Sequence, residues 1–283
     1  MPRRQQPTAR QQRLGAELRK LREAAGLKGR DAAALLGTDS AQVSQIEAGL
    51  AGLSEERLCR IAAHYTCSDE ELVEALAAMA GNRTRGWWEE YRGRLPTPYL
   101  DLAELEHHSS YRWDADFLHI PGLLQTEEYA RALFSYVNPE FPAEEVDRRV
   151  EHRMRRKVII ERTDPIPYET VIHEAALRIN VGSREATRAQ LARVLELSEA
   201  DHVTVRLIPF AQEGFAGAGS AMVYAGGPLP RLDTVVRDGP HGTVFVDAEA
   251  QLGRFRTLFR KVRAASLEQD RSRDFIRRLA KEL

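Results

Sequence analysis

The chain of 283 residues is 43% hydrophobic and 29% charged, which is ordinary for a globular protein, and its length favours two domains. It has no apolar run of about 18 residues and no apolar run after its basic start, so we expect a cytoplasmic protein without a membrane span or a secretory signal. Its only two cysteines lack ligand-like spacing, so we expect no disulfide and no metal site. The net charge is -1, but residues 1–60 hold eleven Lys or Arg against seven Asp or Glu. This segment therefore carries about +4, and residues 61–283 carry about -5. The basic end is the one that would meet phosphate.

Residues 1–13 form a basic arm with no acidic residue, and its cations are Arg3, Arg4, Arg10 and Arg13. A flexible, solvated tail and an arm that enters a DNA minor groove are both consistent with this composition. We predict a flexible arm.

Five short stretches of residues 14–80 carry apolar residues at helical spacing, which predicts a small all-α domain. Glycines close the first three helices, at Gly26, Gly37 and Gly49. Asp39 is the predicted N-cap of the third helix and Ser54 that of the fourth. Ser68 and Glu71 are predicted to form the capping box of the fifth.

The sequence of residues 27–49, LKGRDAAALLGTDSAQVSQIEAG, has the order of a helix-turn-helix. Two helices joined by a short turn place the second helix in the DNA major groove. Val43 and Ile46 are predicted to face the core. This leaves the exposed side of the second helix to Ser40, Ala41, Gln42, Ser44 and Gln45.

Each of these side chains suits a particular contact. Gln45 can pair bidentately with adenine, Ser40 can donate or accept, and Ala41 can touch a thymine methyl. Lys28 and Arg30, at the start of the preceding helix, suit phosphate. Two alternatives remain: a helical bundle without a DNA role, and a DNA-binding helix on which Ser40 and Gln45 are merely solvated.

Residues 14–65 resemble the phage-repressor-like helix-turn-helix family, also called the xenobiotic-response-element (XRE) family, on the pattern Ser-Gln-Ile-Glu-Ala-Gly that ends the recognition helix. The resemblance implies that Arg22 of the first helix pairs with Glu47 and remains near a phosphate. Gly29 stands where the family commonly has glutamine. The phosphate contact is therefore expected from Lys28 or Arg30.

Beyond a breaker-rich boundary at 80–86, residues 81–283 mix helical and strand patterns without a regular βαβ rhythm, which predicts an α+β domain. The predicted helices cover residues 126–137, 142–161, 184–198, 248–264 and 270–283. The predicted strands cover residues 167–173, 203–208, 221–225, 233–236 and 243–246.

This second domain resembles the C-terminal domain of a group of actinobacterial regulators, most specifically in Pro-Gly-Leu-Leu-Gln-Thr-x-x-Tyr-Ala at residues 121–130. The resemblance implies a link to development and antibiotic production. It also implies a small partner protein, with some members resembling antitoxins.

Seven aromatic residues lie within residues 87–117 and are candidates for a ligand pocket or an interface, with core packing as the alternative. The four that we select as ligand or partner contacts are Trp87, Trp88, Tyr91 and Trp113. His173 and Glu174 begin like a zinc-protease motif, but its second histidine is missing. We therefore expect no catalysis and no cofactor.

These observations predict a cytoplasmic, nucleoid-associated transcription regulator that binds a palindromic operator as a homodimer. Its second domain, residues 81–283, would provide dimer contacts and sense a ligand or a small partner protein. The alternative is an antitoxin-like protein that sequesters a small partner and uses DNA binding for autoregulation. An enzyme fused to a DNA-binding domain is the third hypothesis.

Overall fold

The computed structural model describes residues 6–82, 85–216, 221–239 and 242–283. It divides into two compact units, Met1–Glu89 and Glu90–Leu283. Arg3 and Arg4 of the predicted arm lie outside the described residues. Within the residues that the structure describes, no helix is both long enough and apolar enough to cross a membrane.

The first unit is all-α, as the sequence predicts. Its helices are α1 (Ala9–Ala24), α2 (Gly29–Leu35), α3 (Ser40–Glu47), α4 (Glu55–His64) and α5 (Glu70–Gly81). The core draws apolar side chains from all five helices, among them Leu18, Ala33, Ile46, Leu58 and Leu76. Because each helix is short and amphipathic, its stability comes from this shared burial more than from its own hydrogen bonds.

The first helix begins five residues earlier than Leu14, so the basic arm is shorter than predicted. Thr8 and Gln11 form a capping box, in which the Gln11 amide donates to Thr8 Oγ1 at 3.1 Å and the Thr8 amide donates to Gln11 Oε1 at 2.9 Å. Arg13, assigned to the arm, is buried within α1 and its Nε lies 2.8 Å from Glu17 Oε1. Residues 9–13 therefore belong to the folded domain.

The cap of the fifth helix also differs from the sequence prediction. The carboxylate of Asp69, and not the hydroxyl of Ser68, accepts from the Leu72 amide at 3.0 Å. The helix consequently begins at Glu70, one residue later than the Ser68 cap requires. The other two predicted caps are present, since Asp39 accepts from the Gln42 amide and Ser54 from the Arg57 amide.

The second unit is α+β. Its helices are α6 (Thr97–His107), α7 (Glu127–Val137), α8 (Ala143–Arg155), α9 (Val158–Glu161), α10 (Glu174–Arg178), α11 (Arg184–Leu197), α12 (Glu249–Ala264) and α13 (Gln269–Glu282). Its strands are β1 (Tyr111–Asp116), β2 (Tyr168–His173), β3 (Val203–Ile208), β4 (Met222–Gly226), β5 (Thr234–Gly239) and β6 (Gly242–Val246).

The strands form one six-stranded sheet in the order β3-β2-β1-β4-β5-β6. β1, β2 and β3 pair in parallel, whereas β1 pairs antiparallel with β4, and the remaining pairs are antiparallel. One face packs against side chains from α7, α11 and α13, including Tyr129, Leu191 and Ile276. The other face packs against Leu252, Phe259 and Val262 of α12.

Several elements of this unit differ from the sequence prediction. The strand patterns at β2 to β6 are confirmed to within a few residues, but β1, α6 and α10 were not predicted. The single helix predicted over residues 142–161 is two helices, because the Lys157 amide donates to Met154 and the Ile159 amide to Arg156, three residues back instead of four. β1 escaped detection because two buried positions hold Arg112 and Asp114.

Candidate nucleic-acid interface

The turn between α2 and α3 is fixed by two local features. Gly37 has a φ of +61°, in the left-handed region that side-chain-bearing residues rarely adopt. Asp39 Oδ1 then accepts from the Gln42 amide at 2.7 Å and opens α3. Ala32 and Ala33 are buried, so the two helices approach closely at this turn.

The recognition helix divides into a core face and a solvent face. Val43 and Ile46 are 2% and 4% exposed. The side chains that remain at the surface are Ser40, Ala41, Ser44 and Gln45, with Gln42 half-buried. Lys28 and Arg30 at the start of α2 are exposed as well. The geometry thus offers these residues to a ligand, while their contact with bases or phosphates stays a prediction.

Arg22 and Glu47 meet across the interface of α1 and α3. Arg22 Nε donates to Glu47 Oε1 at 2.5 Å, and Nη2 donates to Oε2 at 2.9 Å. The remaining nitrogen, Nη1, donates to the Leu27 carbonyl at 2.7 Å. The hydrogen bond to Glu47 raises the pKa of Arg22, which keeps the guanidinium charged. A bidentate pair of this kind fixes both distance and orientation.

Two glycines allow α1 to lie against the end of α3. A Cβ on Gly15 would overlap the Glu47 carbonyl, and a Cβ on Gly49 would overlap the Gln11 carbonyl. Gly49 also has a φ of +73°. The sequence identified Gly49 only as a stop signal, and it gave no signal for the steric role of Gly15. Both glycines support the position of the recognition helix.

The four aromatic residues selected as contacts are divided between the two units, and the two in the second unit have different neighbours. The Trp87 and Trp88 rings lie 6.1 Å apart in the first unit. Tyr91, in the second unit, is buried edge-on against His152 at 5.1 Å. Trp113 stacks on Phe259 of α12 at 5.0 Å. Tyr91 and Trp113 therefore help to pack different parts of the second unit.

A buried network of charged side chains in the second unit joins β1 and β2 to α6 and to Arg156, the residue after α8. Arg112 donates to both oxygens of Asp114 at 2.7 and 2.8 Å and also to Glu106. Arg156 donates to both oxygens of Glu106 at 2.8 and 2.6 Å. The Tyr168 hydroxyl donates to Asp114 at 2.8 Å. Two cations and two anions balance here, as buried charges require.

The Pro-Gly-Leu-Leu-Gln-Thr stretch forms a buried loop held by two glutamine side chains. Gln125 Nε2 donates to the Ile120 carbonyl at 2.7 Å. Gln190 Oε1 accepts from the Thr126 amide at 2.7 Å, and its Nε2 donates to the Leu124 carbonyl at 2.8 Å. These amides satisfy backbone groups that no strand or helix pairs. These two side chains therefore hold in place the segment that carries the most specific part of the resemblance.

The carboxyl end of β1 holds a strongly perturbed acid. Burial and the neighbouring Asp114 raise the pKa of Asp116 to about 7. Nearby, Arg153 donates from Nη1 to Gln125 Oε1 at 2.6 Å, and burial lowers its pKa to about 10. β1 is also the strand at which parallel pairing changes to antiparallel.

The residues considered for catalysis have structural contacts. His173 caps α10, since its Nδ1 accepts from the Ala175 amide at 3.2 Å. Glu174 Oε2 accepts from the Phe210 amide at 2.8 Å, and its other oxygen pairs with Arg178. Across the described ranges, no cluster of three or more His, Cys, Asp or Glu could hold a metal ion.

Family sequence models match both parts of the chain. The sequence model of a family described as a helix-turn-helix domain matches residues 13–76. That of a family described as a domain of unknown function, DUF5753, matches residues 99–278. No curated protein and no solved structure matches the chain. The helix-turn-helix match supports an XRE-like, DNA-binding regulator.

Proposed function

Since the chain belongs to the DUF5753 family and carries a helix-turn-helix domain, we propose that it is a sequence-specific transcription regulator that binds a palindromic operator as a homodimer. The observation that carries the proposal is the exposed face of α3, held by the Arg22–Glu47 pair. We place its action in the cytoplasm, at the nucleoid. The proposal assigns the chain no catalytic step and no cofactor.

In the proposed complex, bases and phosphates are contacted by different residues. Gln45 reads adenine through its amide, Ser40 and Ala41 contact neighbouring base edges, and Gln42 and Ser44 lie beside them. Lys28 and Arg30 contact phosphate and set the register. The exposure of these side chains on one side of the α2–α3 motif supports this assignment.

The small size of the DNA-binding unit supports the proposed dimerisation. One short recognition helix reads a single half-site, so a specific operator requires two copies related by two-fold symmetry. The second unit would hold the two copies together. Residues 1–80 alone should therefore bind the operator much more weakly than the full chain.

We also assign the second unit a sensing role, for a small molecule or a small partner protein. The carboxyl ends of β1, β2 and β3 meet at one edge of the sheet. Leu118 and Phe210, just beyond this edge, are 58% and 60% exposed, and the Phe210 ring lies 5.2 Å from His173. Exposed apolar residues of this kind support a binding edge. The four aromatic residues predicted from the sequence, Trp87, Trp88, Tyr91 and Trp113, are buried or half-buried, so Leu118 and Phe210 carry this part of the proposal.

Genome-wide mapping of bound sites with the full-length protein tests the proposal, followed by binding to the recovered motif over a salt series. A palindromic motif and a steep loss of affinity with salt are expected, because Lys28 and Arg30 displace counterions from phosphate. The absence of any enriched motif, or a salt slope near zero for a specific site, would contradict it.

The antitoxin-like alternative makes a different prediction for the same protein. If the main task is to sequester a small partner, the bound sites should be confined to the promoter of its own operon, and the neighbouring gene should encode that partner. A regulator with wider targets should occupy many promoters. A small molecule that copurifies with the protein, identified by native mass spectrometry, would favour ligand sensing.

A further inference from the structure

The buried arginines of the second unit are each matched by a carboxylate. They are Arg112, Arg149, Arg156 and Arg206, and their partners are Asp114, Glu145, Glu106 and Glu169 respectively. Such matching is expected, because a charge taken out of water is costly unless an opposite charge compensates it. Two further cations that lie largely inside this unit, Arg153 and Lys157, form no ion pair with any described residue.

Lys157 is the only buried lysine among the residues that the structure describes, with 7% of its surface exposed. Within those residues its ammonium has no ion pair and no hydrogen bond, but it is not fully enclosed, so its tip reaches solvent. Glu127 and Glu161, two acids in its vicinity, pair with other arginines. Burial above all, and the cations Arg193 and Arg153, lower the pKa of Lys157. The charge is therefore held here without compensation.

The Arg153 guanidinium is oriented by neutral groups. Its Nη1 donates to Gln125 Oε1 at 2.6 Å, and its Cζ lies 4.9 Å from the centre of the Phe134 ring. It also lies against the backbone of Gly122, where a Cβ would be 3.2 Å from Nη1 and 3.3 Å from Cδ. Its Nε and Nη2 donate to no atom of the described ranges and are not fully enclosed. Arg153 therefore presents unused donors of an oriented fork.

Two acids near Arg153 do not neutralise it. Asp116 and Asp238 act on it only through space, because neither forms an ion pair with it in the described part of the chain. Asp238 accepts from a threonine hydroxyl at 2.7 Å. The Asp116 carboxyl accepts from the Phe117 and His119 amides, and burial raises its pKa to about 7, so it is only partly charged near neutral pH.

Arg153 and Lys157 are four positions apart, and the backbone between them stays in the right-handed helical region. Their side chains therefore leave the same side of the chain. We propose that a small molecule with a phosphate group binds between these two cations. The inference rests on the sensing role proposed for the second unit and names the class of ligand.

The chemistry of the two side chains favours phosphate. A phosphate monoester carries about two negative charges at neutral pH, which balances two cations. The arginine fork binds two phosphate oxygens at once, and the lysine adds a point charge. Gly122 and Gln125, which orient Arg153, belong to the Pro-Gly-Leu-Leu-Gln-Thr segment between β1 and α7. The bound phosphate would thus be linked through Arg153 to this segment.

The first test is isothermal titration calorimetry of the full-length protein with inorganic phosphate, at constant ionic strength. Lys157→Met and Arg153→Gln should each weaken phosphate binding by about tenfold or more, because each removes a charge-assisted hydrogen bond. Acetate, with one charge, should bind at least about tenfold more weakly, because the attraction grows with the charge of the ligand. The matched controls are Lys261→Met and Arg254→Gln, at exposed positions of α12, which should bind phosphate as the wild type does.

Three results of this titration would overturn the proposal. The first is a wild-type protein that does not bind phosphate. The second is phosphate binding that neither Lys157→Met nor Arg153→Gln weakens, which would exclude this site. The third is acetate binding as tight as phosphate binding, which would exclude this class of ligand.

Thermal melts without phosphate separate a binding role from a structural one. Lys157→Met should melt at the wild-type temperature or above it, because it removes a buried charge that has no partner. Arg156→Met should melt lower, because it removes a cation that binds both oxygens of Glu106. If Lys157→Met melts as low as Arg156→Met, Lys157 stabilises the fold and the proposal is overturned.

Operator binding distinguishes this inference from the proposed function. Phosphate should change the operator affinity of the wild type at constant ionic strength, and this response should be absent in Lys157→Met. Phosphate binding at this site without a change in operator affinity would support the site and contradict the sensing role. A protein that ignores phosphate but responds to another small molecule or to a partner protein would overturn the site and leave the sensing role standing.

Discussion

The Arg22 guanidinium binds the Glu47 carboxylate through two parallel hydrogen bonds, of 2.5 and 2.9 Å, and thereby joins the first helix to the end of the recognition helix. The two residues are separated by 25 positions, and their side chains are 10% and 12% exposed. The third donor group of Arg22 holds the Leu27 carbonyl, at the start of the loop that leads into α2. One side chain therefore joins α1 to α3 and to the loop that precedes α2.

Arg22→Ala should destabilise the first unit by on the order of 3 kcal/mol, because the Glu47 carboxylate would be left without its partner at a packed interface. Operator binding should fall with it, since the position of α3 depends on the pair. Native-state hydrogen exchange of the α1 and α3 amides in the full chain measures the effect.

Arg19→Ala is the control for this change. Arg19 also pairs with a glutamate, Glu23, at 2.8 Å, but both side chains are exposed. Solvent screens such a pair, so the control should resemble the wild type. Exchange rates for Arg22→Ala that match those of Arg19→Ala would show that the pair does not stabilise the motif.

Glu106→Gln should destabilise the second unit by roughly 3–5 kcal/mol, because Arg112 and Arg156 would lose their shared countercharge in the core. The matched control is Glu90→Gln, which removes the same charge from an exposed pair with Arg155. Urea unfolding, followed by a signal from the second unit, compares the two. Equal midpoints would show that the buried network is not a source of stability.

The stability of the second unit should depend on the ionisation of Asp116. Its pKa is about 7 in the folded chain, against 3.8 for an ordinary aspartate. Because folding raises this pKa, the unfolded chain loses its proton first, and the free energy of unfolding falls as pH rises from about 4 to about 7. Above pH 7 the Asp116 carboxylate is charged in both the folded and the unfolded chain, and its burial lowers the free energy of unfolding by the full amount.

Asp116→Asn removes this titration and keeps the shape of the side chain. Relative to wild type, the variant should gain stability as pH rises through this range, by on the order of 3 kcal/mol in total. Urea unfolding at pH 4, 5.5 and 7.5 measures the difference, with Asp201→Asn at an exposed position as the control. A difference between Asp116→Asn and wild type that is constant with pH would contradict the prediction.

The helix-turn-helix could be predicted from the sequence because its signals are local. Gly37, the Asp39 cap and the inward pair Val43 and Ile46 lie within ten consecutive residues, and each acts through neighbouring backbone or helical spacing. The error at the fifth helix is of one residue, because Asp69 and not Ser68 caps that helix. Such errors are expected where two adjacent side chains can both cap a helix.

The second unit resisted prediction where long-range pairing decides the structure. β1 reads Tyr-Arg-Trp-Asp-Ala-Asp, and charged residues at alternate positions normally indicate a solvent-facing side. Arg112 and Asp114 are buried instead because Glu106 pairs with Arg112, and Tyr168 with Asp114, from other elements. Glu106 is paired in turn with Arg156. Arg156 is 50 residues from Glu106, and no local pattern reveals that contact.

Gln45→Ala and Arg30→Ala should fail in different ways, because one residue is proposed to read a base and the other a phosphate. Loss of a bidentate base contact typically costs about 1 to 3 kcal/mol on the cognate site and relaxes preference at one position in each half-site. Loss of a phosphate contact should lower affinity for all sequences alike and reduce the salt slope by about one unit.

Binding-site selection with both variants at matched salt separates these outcomes. Gln45→Ala should recover a motif with one degenerate position per half-site, whereas Arg30→Ala should recover the wild-type motif at lower affinity. Glu56→Ala, at an exposed position of α4 outside the α2–α3 motif, is a control that should change neither property. If Gln45→Ala keeps the complete wild-type motif, the proposed register of the recognition helix is wrong. Gln42 and Ser44, the remaining polar side chains on this part of α3, would then be the residues to substitute next.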